Sequence, residues 1–164
     1  WLSTEIDDVG SNQELLEISL KIERDGKKFY RELAEKIKDK QVSEFFQLMA
    51  REEALHENQF KHMIESKSID RYGWEEDPAL RKFIDKEFKT DIFPPTKEIL
   101  DQFQLAGRIN KALELAMDAE RIVGEFFRLL HNSCEDIEIK TLLTILEKAE
   151  REHLERVKSF KSKF

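Results

Sequence analysis

Six residues of this chain have the types and the spacing of a metal site. Glu23, Glu53 and His56 recur as Glu120, Glu150 and His153, each member 97 positions after its counterpart. Each half thus supplies one lone Glu and, further on, a Glu-x-x-His. On a helix, residues i and i+3 share a face, so each Glu-x-x-His aims a carboxylate and an imidazole the same way. Four carboxylates and two imidazoles are the set with which a four-helix bundle holds two metal ions in its core. Such a site suits iron or manganese better than structural zinc, and spacing alone does not separate iron from manganese. Because the pattern is not His-Glu-x-x-His, a zinc protease is not indicated.

The elements that must position these residues can be read from hydrophobic periodicity. The last helix carries Ile139, Leu143, Leu146, Glu150, His153, Val157 and Phe160 at alternating steps of four and three. The second helix carries Val42, Phe46, Met49, Glu53, His56, Phe60 and Met63 in the same rhythm. Such a stripe faces a bundle core. The first helix is expected to present Leu16, Leu20, Glu23, Tyr30, Leu33 and Ile37, and the third Leu113, Met117, Glu120, Phe127 and Leu130. All six polar residues then point inward at one level. Buried carboxylates without partners are costly and repel one another. No Lys or Arg lies on these stripes at that level; Lys27 sits at the edge of one. Two divalent cations would balance four carboxylates with both imidazoles neutral.

The repeat extends beyond the six residues, with Leu16 matching Leu113, Arg24 matching Arg121, Phe29 matching Phe126 and Leu33 matching Leu130. Two helices per half make four, a bundle built from a duplicated hairpin. The hairpins are expected at about 11–65 and 109–160. Ser11 and Glu14 suit a capping box for the first helix, and Asp39 suits the cap of the second. Between the hairpins, residues 66–108 hold all three prolines and form a crossover with helices of its own, one opened by Asp77-Pro78 and one at about 97–105. Residues 132–136 form the second hairpin's turn. Phe83, Phe88, Phe93 and Phe103 of the crossover pack either on their own bundle or against a second subunit. Trp1 and Trp74 lie outside the pattern and are expected to cover surface.

Tyr30 follows Glu23 by seven residues on the same face. It is the candidate catalytic residue, with its hydroxyl beside a carboxylate or a bound oxygen; the alternative is a core aromatic. The matching residue is Phe127, so any role of the hydroxyl is one-sided. His62 and His131 read as surface or helix-end residues.

The chain has 164 residues, 38% of them charged and 40% hydrophobic, with 5 Gly and 3 Pro. That composition suits long helices in one domain over 1–164. The net charge of −7 argues against nucleic acid as the main partner and favours cations. A single cysteine, Cys134, cannot form an internal disulfide and leaves no rubredoxin-type iron site, so a reducing, cytoplasmic setting is expected. Residues 1–10 lack the pattern of a signal peptide, no apolar run is long enough for a membrane span, and the absent initiator Met fits a chain that begins inside a longer one.

With Glu23-x6-Tyr30 and two copies of Glu-x-x-His, Glu53-Ala54-Leu55-His56 and Glu150-Arg151-Glu152-His153, the chain resembles the ferritin-like diiron superfamily. Within it, the chain is similar to rubrerythrin-related proteins that lack a rubredoxin domain. The resemblance implies an all-α, ferritin-like four-helix bundle with a long helical crossover and two iron ions. It implies bridging by Glu53 and Glu150, with Glu23 and His56 completing one ion's shell and Glu120 and His153 the other's. It further implies reaction with hydrogen peroxide or O2, as ferroxidase or peroxide reductase, with electrons from an external donor. Iron binding or storage without turnover, and a diiron monooxygenase, are the alternatives. Typical rubrerythrins carry a second Glu three residues from the lone Glu of the third helix. Here Met117 and Val123 flank Glu120 at that spacing, so the ligand count is closer to that of bacterioferritin, whose haem-binding Met is replaced by Ala54. A homodimer or larger homo-oligomer is expected.

Overall fold

The computed structural model describes residues 12–65, 73–74, 77–88 and 91–163. In chain order its helices are α1 (Asn12–Lys36), α2 (Lys40–Glu65), α3 (Pro78–Glu87), α4 (Lys97–Gln102), α5 (Leu105–Ser133) and α6 (Ile137–Lys161). The long helices pair as hairpins, α1 with α2 and α5 with α6, and these two pairings are the most extensive in the molecule. The helix α3 and the short α4 lie in the crossover and pack on α5. This is the bundle with one long crossover expected of a ferritin-like topology.

Local chemistry sets the helix ends. At the first hairpin turn, Asp39 Oδ1 accepts the Val42 amide at 3.0 Å, and Ser43 Oγ donates to the Ala34 carbonyl at 2.6 Å. At the second turn Asp136 accepts from the Ile139 amide. Asp77 caps α3 through the amides of Ala79 and Leu80, with Pro78 in the first turn, where its missing N–H costs nothing. The expected cap at Ser11 lies outside the described residues.

The helix α5 begins at Leu105, four residues before the expected start at 109. Gly107 sits within its first turn. A Cβ there would come within 3.2 Å of Phe103 Cβ, so its absence lets α5 start hard against the preceding residues. The Arg108 Nε donates to the Phe103 carbonyl at 2.6 Å and closes the corner.

The core stripes of α2 and α6 are those expected, apart from Met63, which is half-buried. Those of α1 and α5 are turned by one position at their N-terminal ends. Leu15, Ser19 and Ile22 are buried on α1, and Ala112, Ala116 and Ala119 on α5, while Leu16, Leu20 and Met117 are half-buried. Stepping back by fours from Glu23 reaches Ser19 and Leu15, a column in which a polar residue hides the periodicity. Ser19 is tolerated there because its Oγ donates to the Leu15 carbonyl at 2.8 Å.

Trp74 does not cover surface. It is 1% exposed, and its indole Nε1 donates to the Leu130 carbonyl at 2.8 Å. That carbonyl is one of the last four of α5, which have no partner within the helix. Gly73 precedes it at φ 98°, and a Cβ there would fall 2.3 Å from the Ser133 carbonyl oxygen. Trp1 lies outside the described residues. Of the crossover phenylalanines, Phe83 and Phe88 pack on Phe126, and Phe93 on Phe29 and Tyr30. Phe103 remains 37% exposed. Among the described residues no helix is long and apolar enough to cross a membrane.

Candidate metal centre

All six sequence-selected residues meet in the middle of the bundle. Glu23 comes from α1, Glu53 and His56 from α2, Glu120 from α5, and Glu150 and His153 from α6. The carboxylates are each 1% exposed, His56 7% and His153 2%. Their ligand atoms form two overlapping groups of four, each within 4.8 Å: Glu23, Glu53, His56 and Glu150, and Glu53, Glu120, Glu150 and His153. Glu53 and Glu150 belong to both groups. Both imidazoles turn Nδ1 into the cluster. His153 Nδ1 lies 3.3 Å from Glu53 and 3.6 Å from Glu120; His56 Nδ1 lies 3.5 Å from Glu150 and 3.8 Å from Glu23. The two rings stack with centroids 5.2 Å apart.

The polar bookkeeping of this cluster is unlike that of the rest of the core. Among the described residues, the buried side-chain atoms without a hydrogen-bond partner are both oxygens of Glu23 and Glu150, one each of Glu53 and Glu120, and Nδ1 of both histidines. These eight atoms all belong to the six residues. Buried polar groups are otherwise almost always paired, so a cluster of orphaned donor atoms fits a pair of metal ions in chemistry and in charge.

Without cations the cluster must hold protons. Burial, reinforced by neighbouring carboxylates, pushes Glu23 and Glu150 well above the usual carboxylate range and also raises Glu53. Burial acts in the same sense on Glu120, but the adjacent Glu150 carboxyl, the His153 ring and the Tyr30 hydroxyl outweigh it and hold that group down at about 2. Burial disfavours a charged His153, yet the carboxylates of Glu120, Glu52 and Glu53 around its ring lift it to about 12. His56 is lowered to about 4 by burial and by the charge on His153.

Tyr30 reaches across to the other hairpin. Its hydroxyl, fully buried, donates to Glu120 Oε1 at 2.6 Å, which leaves Oε2 facing the cluster. Its ring stacks on Phe46. Burial and the carboxylates of Glu120 and Glu53 push the phenol well above its ordinary value, so it keeps its proton and acts as a donor. His62 is exposed and His131 half-buried, both outside the cluster.

Other residues at the site carry no signal of their own in the sequence. Glu52 Oε2 lies 2.5 Å from His153 Nε2, on the side of the ring away from the cluster. Arg156 Nη1 in turn donates to both Glu52 oxygens, at 2.5 and 2.6 Å. The contacts with His153 and Arg156 hold Glu52 at about 2. Glu57, beside His56, is engaged by Arg24 at 2.5 Å and Lys27 at 2.9 Å. Lys27 therefore pairs with a carboxylate at the rim and not with the cluster. Gly26 faces the site as well: a Cβ there would stand 3.1 Å from the Phe93 ring and 3.3 Å from Glu53 Cδ. The partners in the Glu52–Arg156 contact are 104 positions apart, so helix periodicity could not pair them. The usable signal was a break in the repeat, since Ala149 and Gln59 occupy the matching positions.

Comparison with known proteins agrees with this architecture. The rubrerythrin family model matches residues 14–161. Among solved structures, a candidate ferritin-like diiron-carboxylate protein from Thermotoga maritima shares the fold with a TM-score of 0.70, covering 93% of this chain and 95% of that one at 20% identity. No curated protein matches by sequence. The family match spans both hairpins and all six clustered residues, and the chain belongs to the rubrerythrin family.

Proposed function

We propose that this protein is a dinuclear iron oxidoreductase that reacts with hydrogen peroxide or O2 and draws electrons from an external donor. The observation that carries this reading is the set of eight buried, unpartnered donor atoms on Glu23, Glu53, His56, Glu120, Glu150 and His153. Glu53 and Glu150, common to both groups of four, would bridge the ions. Glu23 and His56 would complete one shell, and Glu120 and His153 the other. When bound, the iron pair supplies reversible one-electron steps to an oxidant. The chain's own residues do the rest. The apolar bundle excludes bulk water, the carboxylates balance the charge, and Tyr30 fixes Glu120 with one oxygen free. Its protonated phenol stands one carboxylate away from the metal positions, with its one O–H directed at Glu120. In the proposed setting the protein works in the cytoplasm as a homodimer or larger homo-oligomer.

The test is anaerobic reconstitution of metal-stripped protein with ferrous iron, followed by separate exposure to peroxide and O2. Two irons per chain, oxidised faster than iron free in solution, are expected. Uptake of two irons with no acceleration by either oxidant would leave iron binding without turnover as the function; uptake of fewer than two would end the dinuclear reading.

One observation favours oxidation of an organic substrate as a second reading. A surface cleft of about 810 Å³ runs along α1, walled by Ile18, Ile22, Ile84, Phe88, Ile92 and Phe93 together with the charged Glu14, Lys21, Asp25, Asp85 and Asp91. The same Phe93 ring packs on Tyr30 and over Gly26, beside Glu53. Product analysis after reaction in the presence of small apolar compounds separates the two readings.

A further inference from the structure

The duplicated hairpins make each half an internal control for the other. At the metal centre they differ in what stands behind the ligands. Half one lends two supports to half two. Tyr30 donates to Glu120 at 2.6 Å, and Glu52, braced by Arg156, sits 2.5 Å from His153 Nε2. The reciprocal supports are missing. Phe127 matches Tyr30 and has no hydroxyl to offer Glu23, both of whose oxygens are orphaned. Ala149 matches Glu52 and Gln59 matches Arg156. The contacts of His56 with carboxylates run from Nδ1, to Glu150 and Glu23. The nearest extra carboxylate in sequence, Glu57, is taken by Arg24 and Lys27.

We propose that the two metal positions are inequivalent: the one formed with Glu120 and His153 is preorganised and tight, the one formed with Glu23 and His56 looser and exchangeable. Glu52 is the positioning residue that sets most of the difference. This rests on the dinuclear reading given above. The physical reason is twofold. Once a metal has displaced the Nδ1 proton of His153, the carboxylate accepting its Nε2–H holds the tautomer with the Nδ1 lone pair toward the metals and keeps that nitrogen basic, an effect commonly worth about 10- to 100-fold in affinity. Holding Glu120 and His153 in place before binding also removes ordering that Glu23 and His56 must still undergo. Both one-sided supports fall on the same position and act in the same direction.

The experiment is a titration of the metal-stripped full chain with cobalt(II) against a competing chelator, followed by visible absorption. The wild type is expected to fill in two steps with dissociation constants separated by about 10-fold or more. Glu52→Ala should weaken the first step by about 10- to 100-fold, change the absorption of the first equivalent, and leave the second step in place. Glu52→Gln keeps an acceptor without the charge and should fall between the two; it also serves where Glu52→Ala fails to fold. The transplant Ala149→Glu with Gln59→Arg should tighten the weak step. Two equal steps in the wild type, or a Glu52→Gln protein whose two steps weaken together or not at all, would overturn the inequivalence. Failure to take up two cobalt ions would instead overturn the dinuclear reading beneath it.

Discussion

Replacing Tyr30 with Phe removes one oxygen and one hydrogen bond, and the structure allows the cost to be worked out. The hydroxyl lies 2.6 Å from Glu120 Oε1, with Tyr30 fully buried and Glu120 1% exposed. Hydrogen bonds to charged groups contribute about 1.5–3 kcal/mol, and an acceptor left unpaired in the interior retains its full desolvation cost. Glu120 is held at about 2 and is therefore ionised at neutral pH, so the charged case applies. The ring itself is kept, with its packing on Phe46, Phe29 and Phe93, so no cavity term is added. The expected loss is about 1.5–3 kcal/mol in the metal-free protein, or roughly 3–12 °C in Tm for a chain of this size. Equilibrium denaturation of the wild type, Tyr30→Phe, Glu120→Gln and the double variant closes a thermodynamic cycle. A coupling of about 1 kcal/mol or more is expected between the pair. Metal stoichiometry should remain two per chain, while the rate with peroxide falls. A Tyr30→Phe cost below about 0.5 kcal/mol, the level of substitutions that touch nothing, would show that the hydroxyl supports neither Glu120 nor the site.

Glu53→Ala or Glu150→Ala should abolish binding of both ions, while Glu23→Ala or Glu120→Ala should leave one ion bound; equal losses in all four, measured by metal analysis, would rule out the shared role. Gly26→Ala should gain about 1 kcal/mol of helix propensity and lose it again to the Cβ contacts at 3.1 and 3.3 Å, leaving apo stability nearly unchanged. Because Glu53 is one of the crowded groups, metal affinity should drop, and unchanged affinity in a titration would mean that Phe93 alone gives way. Metal in hundredfold excess over Kd should stabilise the fold by about 2.7 kcal/mol for each ion bound, and this gap should narrow in mild acid. The sign follows from the groups involved. The raised carboxyls of Glu23, Glu150 and Glu53 contribute stability to the metal-free fold that is complete below their ordinary value of 4.5 and is lost as pH rises through their folded values. His56, lowered to about 4, opposes this because its contribution is present above 6.5 and is lost as pH falls toward 4. His153, lifted to about 12, sides with the carboxyls because its contribution is complete below 6.5. Together these four groups outweigh His56 and should make the apo protein gain between about pH 7 and 5, while protons compete with metal in the loaded form; parallel melting curves with and without metal over that range would contradict this.

The six clustered residues were legible because each interrupts an otherwise apolar stripe and because a second copy stands 97 positions away. Helix ends were legible where a local donor–acceptor pair sets them, as at Asp39, Asp77 and Asp136. The start of α5 was not, since Gly107 serves close packing on Phe103 instead of a break. The buried column of Leu15 and Ser19 was hidden by a hydroxyl that satisfies itself on the preceding turn. Glu52 with Arg156, and Trp74 with the Leu130 carbonyl, depend on partners 104 and 56 positions away. A one-dimensional pattern has no term for such contacts, and only the mismatch between the two halves hinted at the first.

The concentration of helix contacts within each hairpin bears on how the chain acquires its structure. α1 with α2 and α5 with α6 join residues that are neighbours along the chain, whereas contacts between the hairpins are far sparser. Local contacts form fast because little loop entropy is lost in closing them. Each hairpin can therefore assemble early, and their docking, which brings four carboxylates together, is the late and electrostatically opposed step. A cation present at that moment lowers the opposition and would act as a folding catalyst as well as a ligand. The same seam is where the metal-free protein should open first, and amide exchange at α2 and α6 should slow most when metal is added.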